Sequence, residues 1–156
     1  MDETDTERAG GKPDIAALMM TSPFAKALGM TLERIEKSKA TLSIPYQDKL
    51  VGNPLTRVVH GGVVTALLDH ASGFAVISAL DRIDSIATLD LRIDYMRAAE
   101  PDRTIFADAH CFKLTTSIAF VRGTAYHDAP DDPIATAVGT FMLSSDAGRK
   151  AGANRK

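Results

Sequence analysis

Residues Val58–Leu80 read VVHGGVVTALLDHASGFAVISAL. From Val63 to Leu80 apolar side chains fall at almost every angle around a helix begun near Gly61. A helix apolar all round is buried on all sides, so the rest of the chain must supply its cover.

Strands are the available cover. MTLERIEKSKATLSIPY (30–46) alternates on either side of a polar EKSK turn and reads as a β-hairpin. In ATLDLRIDYMR (87–97), Leu89, Leu91, Ile93 and Tyr95 alternate with Asp90, Arg92, Asp94 and Met96, a period of two with one wet face. RTIFADAHCFKL, SIAFVRGTAYHD and PIATAVGTFMLSS are three more strand-like runs. The turns between consecutive runs are short, which implies antiparallel pairing of neighbours in the chain. The expected fold class is α+β: one antiparallel sheet of five to six strands wrapped around one long central helix.

Ahead of the hairpin, DIAALMM and SPFAKALGM read as two short helices, broken at Ser22 with Pro23 at the first helical position. Gln47–Arg57, with Gly52, Asn53 and Pro54, reads as a loop without regular structure. DRID (81–84) reads as a turn. Residues 1–12 and the basic stretch 146–156 have almost nothing to bury and read as tails around a single domain, 13–145.

Composition narrows the function. The 156 residues are 45% hydrophobic and 24% charged, with net charge −2 and pI near 6.1. No electrostatic case exists for nucleic acid or an anionic membrane. The single Cys111 excludes an intrachain disulfide and a cysteine-cluster metal site, and it suits a reducing cytoplasm. His110 and His127 show no metal-ligand spacing, so neither metal nor cofactor is expected. The acidic N-terminus lacks the apolar core of a secretory signal. A cytoplasmic, soluble protein is the expectation.

Two features of the helix bear on chemistry. Thr65, Asp69 and Ser72 stand at i, i+4 and i+7 and form one polar stripe. An ionised carboxylate among apolar neighbours is costly unless donors hold it. Asp69 is therefore either a structural hydrogen-bond node, held by Thr65, Ser72 or His70, or a catalytic carboxylate. Gly61 and Gly62 open the helix, where unpaired N–H groups and the positive end of the dipole can meet developing negative charge. Glycine there admits a ligand oxygen close to the backbone, as in an oxyanion hole, or serves a tight loop-to-helix turn. His60, just before them, is expected to brace the turn.

Distance ties the two features together. Eight residues of helix separate Gly61 from Asp69, about 12 Å at the usual rise. A donor and a base must each come within about 3 Å of one carbonyl. One chain cannot bring both to one carbonyl, so a catalytic reading requires a homodimer with sites shared across a two-fold axis.

HGGVVTALLDHASG, the Asn-Pro loop upstream and TLDLRIDYMRAA downstream resemble the hotdog-fold acyl-CoA thioesterases of the PaaI-like (phenylacetic acid degradation) branch, over roughly residues 25–144. The resemblance implies dimers, usually dimers of dimers, acting on an acyl-CoA. It implies that Asp69 is the catalytic carboxylate and that Gly61 N–H polarises the thioester carbonyl. Asn53 then matches a loop residue that positions water or substrate, and Thr88 a hydroxyl near the acid. His60 and Gly62 complete the expected binding set. Between Asn53 and His60 the spacing is one residue longer than usual for the family. Arg57, Arg97, Lys113 and Arg122 are candidates for the coenzyme A phosphates. Two other readings stand beside hydrolysis: a hotdog hydratase or dehydratase, which pairs a His with an acid, and a non-catalytic acyl-binding dimer.

Overall fold

The structure, a computed structural model, describes residues 15–81 and 85–144. The two tails and most of the DRID turn lie outside the described residues. Two short helices come first, α1 (Ile15–Met20) and α2 (Pro23–Leu28). Ser22 caps α2 by accepting from Ala25 N–H at 3.1 Å, with Pro23 at the first helical position. Then come the hairpin strands β1 (Thr31–Glu36) and β2 (Lys39–Ile44). Ser38, at φ 66°, makes their tight turn. The long helix α3 (Gly61–Ala79) follows. Four longer strands complete the domain: β3 (Ser85–Tyr95), β4 (Ile105–Leu114), β5 (Ile118–Tyr126) and β6 (Ala135–Ser144).

All six strands join one antiparallel sheet in the order β1-β2-β4-β5-β6-β3. The expected pairing of β3 with β4, neighbours in the chain, does not occur. β3 pairs with β6 at the far edge, and the flank of β4 is taken by β2 instead. The β3–β4 connection therefore crosses the end of the sheet, and buried His127 secures it. His127 Nε2 accepts from Glu100 N–H at 3.0 Å, which leaves Nδ1–H to donate to the Thr104 carbonyl at 2.7 Å. His127 thus sits just past β5, as a strut for the backbone.

The sheet curls around α3. Leu67, Leu68, Phe74, Ala75 and Val76 of the helix are wholly buried, against Leu42, Ile44, Ile105, Ala107 and Val121 from the strands. By length and hydropathy alone α3 is long and apolar enough to cross a membrane; here it is the core. Burial on all sides holds only for its second half. In the first half, Gly61 and Gly62 are exposed, and Thr65, Ala66, Asp69 and His70 are half-buried. The loop 47–57 is more regular than expected. Asp48–Leu50 form a turn of 3-10 helix, and Val51 bridges to Val59.

β3 departs from simple alternation. Its register against β6 shifts between Thr88 and Asp90, so one extra residue is accommodated as a β-bulge. The shift turns Thr88 toward α3, while Leu91 and Ile93 beyond it also pack on the core. Leu89, expected on that same face, is 54% exposed. Gly139 of β6 makes this fit possible. A Cβ there would stand 2.5 Å from the Asp90 carbonyl oxygen, closer than any side chain tolerates.

Candidate functional site

The open side of α3 faces β3, and two clusters form along that seam. At one, Thr88 Oγ1 donates to Asp69 Oδ1 at 2.9 Å. The carboxylate is thus half-buried rather than enclosed, and its partner comes from β3 rather than from Thr65, Ser72 or His70. The expected polar stripe divides. Thr65 turns to β3 and Asp69 to Thr88, while the Ser72 hydroxyl is fully buried with no partner among the described residues. His70 leans away, hydrogen-bonded to the Met19 backbone and edge-on to Phe74. Burial pushes its pKa down, against smaller upward effects of Met19 and Asp69.

The second cluster lies at the helix start. His60 is the N-cap, and its Nδ1 accepts from Gly62 N–H at 2.9 Å. The bracing expected of His60 is this bond. It also explains Gly62, because a Cβ there would fall 2.9 Å from His60 Nδ1. Gly61 is different. Its φ is not positive, and a Cβ there would meet only the Tyr95 ring at 3.5 Å, an ordinary contact. Neither its turn nor its own chain demands glycine. Its N–H opens the helix and is used by no hydrogen bond among the described residues. Gly61 is itself exposed, so this N–H is open to solvent.

Tyr95, which sequence reasoning treated as one more inward strand residue, closes this cluster. Its hydroxyl donates to the Gly61 carbonyl at 2.8 Å and makes a very short contact with the Thr65 hydroxyl. The bulge is why it was missed. Thr88 and Tyr95 have opposite parity along β3, yet both reach α3.

Asn53 is exposed on its loop. Its side-chain oxygen accepts from Leu55 N–H at 2.9 Å and from Thr56 N–H at 3.4 Å, a local turn. Only its amide N–H groups are left to face outward. Among the phosphate candidates, Arg57 is engaged by Asp48 at 3.0 Å and Asp102 at 3.5 Å, and Arg97 by Glu100 and Asp132. Arg122 stacks on Phe112. Lys113 is exposed. A cleft of about 510 Å³ opens elsewhere on the sheet, lined by Arg34, Lys39, Asp108 and His110 among others, and it includes neither cluster. No group of His, Cys, Asp and Glu among the described residues is arranged to hold a metal ion.

The two clusters share no hydrogen bond among the described residues. One offers a free backbone donor, the other a held carboxylate. Alongside them, the outer edge of β3 has no strand partner among the described residues, over 11 residues.

Comparison with known proteins agrees with this architecture. The thioesterase superfamily model matches residues 57–134, from the loop before α3 to the residue before β6. The medium/long-chain acyl-CoA thioesterase YigI of Escherichia coli K12 is 32% identical over 134 residues, covering 78% of this chain and 85% of that protein. A crystal structure of a Pseudomonas aeruginosa protein is 40% identical with a TM-score of 0.72, covering 83% of this chain and 93% of the other. The PaaI protein from the phenylacetic acid degradation operon of E. coli superposes with a TM-score of 0.74 over 84% of this chain and 91% of its own, at 18% identity, a likeness of fold. On its helix-in-sheet architecture and these relatives together, the chain has the hotdog fold and belongs to the thioesterase superfamily.

Proposed function

We propose that this chain, through its domain 13–145, hydrolyses acyl-CoA thioesters in a site shared by two copies. Asp69 of one copy acts as general base: it takes a proton from water as the water oxygen attacks the thioester carbonyl carbon. Gly61 N–H of the other copy stabilises the tetrahedral oxyanion, at the positive end of α3. The C–S bond then breaks, the acid leaves, and the coenzyme A thiolate takes up a proton. Thr88 orients the carboxylate by holding Oδ1, which frees Oδ2 for the water.

The observation that supports this most is Gly61. It is a glycine that its own fold does not require, with an unused N–H at a helix start. The dimer follows from the spacing to Asp69 and from the bare edge of β3, which a second β3 can extend across a two-fold axis. A tetramer of two such dimers is the proposed assembly, and the cytoplasm the proposed location. The hydratase reading is disfavoured because, among the described residues, no His is hydrogen-bonded to an acid at the site: His60 serves Gly62, and His70 serves Met19.

The proposed substrates are medium- and long-chain acyl-CoAs, following YigI at 32% identity. Free thiol released from a series of acyl-CoAs tests both parts. Turnover should rise from short to medium and long chains and stay low on an aryl-acetyl-CoA. No release from any thioester would overturn the hydrolytic reading and leave an acyl-binding protein. In single turnover in ¹⁸O-water, the label should enter the product acid directly; product unlabelled on the first turnover would make Asp69 the nucleophile.

A further inference from the structure

The peptide joining Gly61 to Gly62 is held at both ends. Its N–H, on Gly62, donates to His60 Nδ1 at 2.9 Å. Its carbonyl, on Gly61, accepts from Tyr95 at 2.8 Å and from Thr65 Oγ1 at 3.2 Å. The Thr65 and Tyr95 hydroxyls are also in contact with each other. Two glycines in a row have little intrinsic preference for one backbone conformation. A donor that is to meet an oxyanion, however, works by being aimed beforehand. The side chains around this peptide supply the rigidity that the glycines lack.

Tyr95 is poorly explained as a packing residue. It ends β3 and is 51% exposed, so its ring contributes little to the core. Its hydroxyl is committed to one peptide, the one adjoining the free Gly61 N–H. The peptide that carries the Gly61 N–H is joined to this one at the Gly61 Cα, and its own carbonyl, on His60, accepts from Val63 N–H at 2.9 Å; holding the Gly61 carbonyl therefore fixes where that Cα, and the N–H beside it, stands.

We propose that Tyr95, with Thr65, is a positioning residue for thioester hydrolysis: its hydroxyl clamps the Gly61 carbonyl and so fixes the position of the Gly61 Cα and of the N–H beside it. This rests on the oxyanion role proposed above for Gly61. The same strand then sets both halves of the chemistry, Thr88 orienting Asp69 and Tyr95 orienting Gly61.

The test uses the full chain and one saturated medium-chain acyl-CoA. Tyr95→Phe removes only the hydroxyl. Its kcat should fall about tenfold, a fraction of the loss of a whole oxyanion donor, with KM within about twofold and melting temperature nearly unchanged. Thr65→Val should act in the same direction and more weakly, which keeps the test open if Tyr95→Phe folds poorly. Coupling separates positioning from mere stability. In a Gly61→Ala background, where the donor is already obstructed, Tyr95→Phe should add less than about a twofold loss. Unchanged kcat in Tyr95→Phe, or losses that simply multiply with Gly61→Ala, would overturn the proposal. Normal turnover in Gly61→Val would instead remove the oxyanion reading, and this inference with it. A Gly61 effect beside a silent Tyr95→Phe removes only the inference.

Discussion

Asp69 and Gly61 differ in how far each could be read from residue types alone. A carboxylate in an apolar helix is conspicuous in sequence, but its partner is not. Thr88 lies 19 residues away on a strand whose parity is reset by a bulge. Asp69→Asn separates the two meanings of that contact. The amide keeps an oxygen for the Thr88 hydroxyl, so stability should change by less than about 1 kcal/mol. If Asp69 is the base, kcat should drop by about 10² or more while substrate still binds. Thermal melting and thiol release on the same preparation decide it, and full activity in the folded variant sinks the catalytic reading. The glycine pair shows the complementary limit. Sequence could not tell a glycine that its neighbours require from one that they do not, and the Cβ distances at Gly62 and Gly61 do.

At the level of elements, what is local was legible and what is long-range was not. Ser22-Pro23, the EKSK turn and the span of α3 follow from capping, turn chemistry and hydrophobic period, and each stands as expected. The pairing of β3 with β6 was not legible, because period two fixes which face of a strand is buried and not which strand lies beside it. The bulge was hidden for the same reason. Its cost falls on Gly139, and Gly139→Ala should force β3 and β6 apart. We expect about 1–3 kcal/mol of lost stability, together with reduced turnover, since Thr88 moves with the strand. Stability lost with turnover per folded molecule intact would mean that the bulge does not orient Asp69. Helix α3 has a further dependence, on pH. Burial lowers the His70 pKa below its usual 6.5, so the unfolded chain binds this proton more readily than the folded one. His70 therefore destabilises nothing above about pH 6.5, and stability falls as pH drops through 6.5 toward the lowered folded value. His110, lowered by burial and by Arg122 and Lys39, adds in the same direction. Melting temperatures between about pH 7 and 5 should show this slope, and His70→Gln should flatten it. An unchanged slope would place the acid sensitivity elsewhere.

For the molecule as a whole, a single chain holds a complete hydrophobic core but, on the proposed reading, only halves of a site. Asp69 with Thr88 and Gly61 with Tyr95 sit apart along one helix, beside a strand edge that pairs with no other strand among the described residues. A two-fold axis beside β3 would bring the donor of each chain to the carboxylate of the other, and it would cover the half-open side of α3. This arrangement makes a prediction that a one-chain site cannot meet. Asp69→Asn and Gly61→Val, each nearly inactive alone, are mixed in equal amounts under conditions that exchange subunits. In a mixed dimer one site combines the intact Gly61 of the first variant with the intact Asp69 of the second, and the other site has both defects. Random pairing makes half of the dimers mixed, so activity should recover to about a quarter of the wild-type level. Recovery should track subunit exchange, and chemically cross-linked parent dimers should show none. If the mixture stays at the mean of its parents while exchange is demonstrated by mass, both groups act within one chain. The 12 Å argument from helix rise, and the shared site with it, would then be wrong.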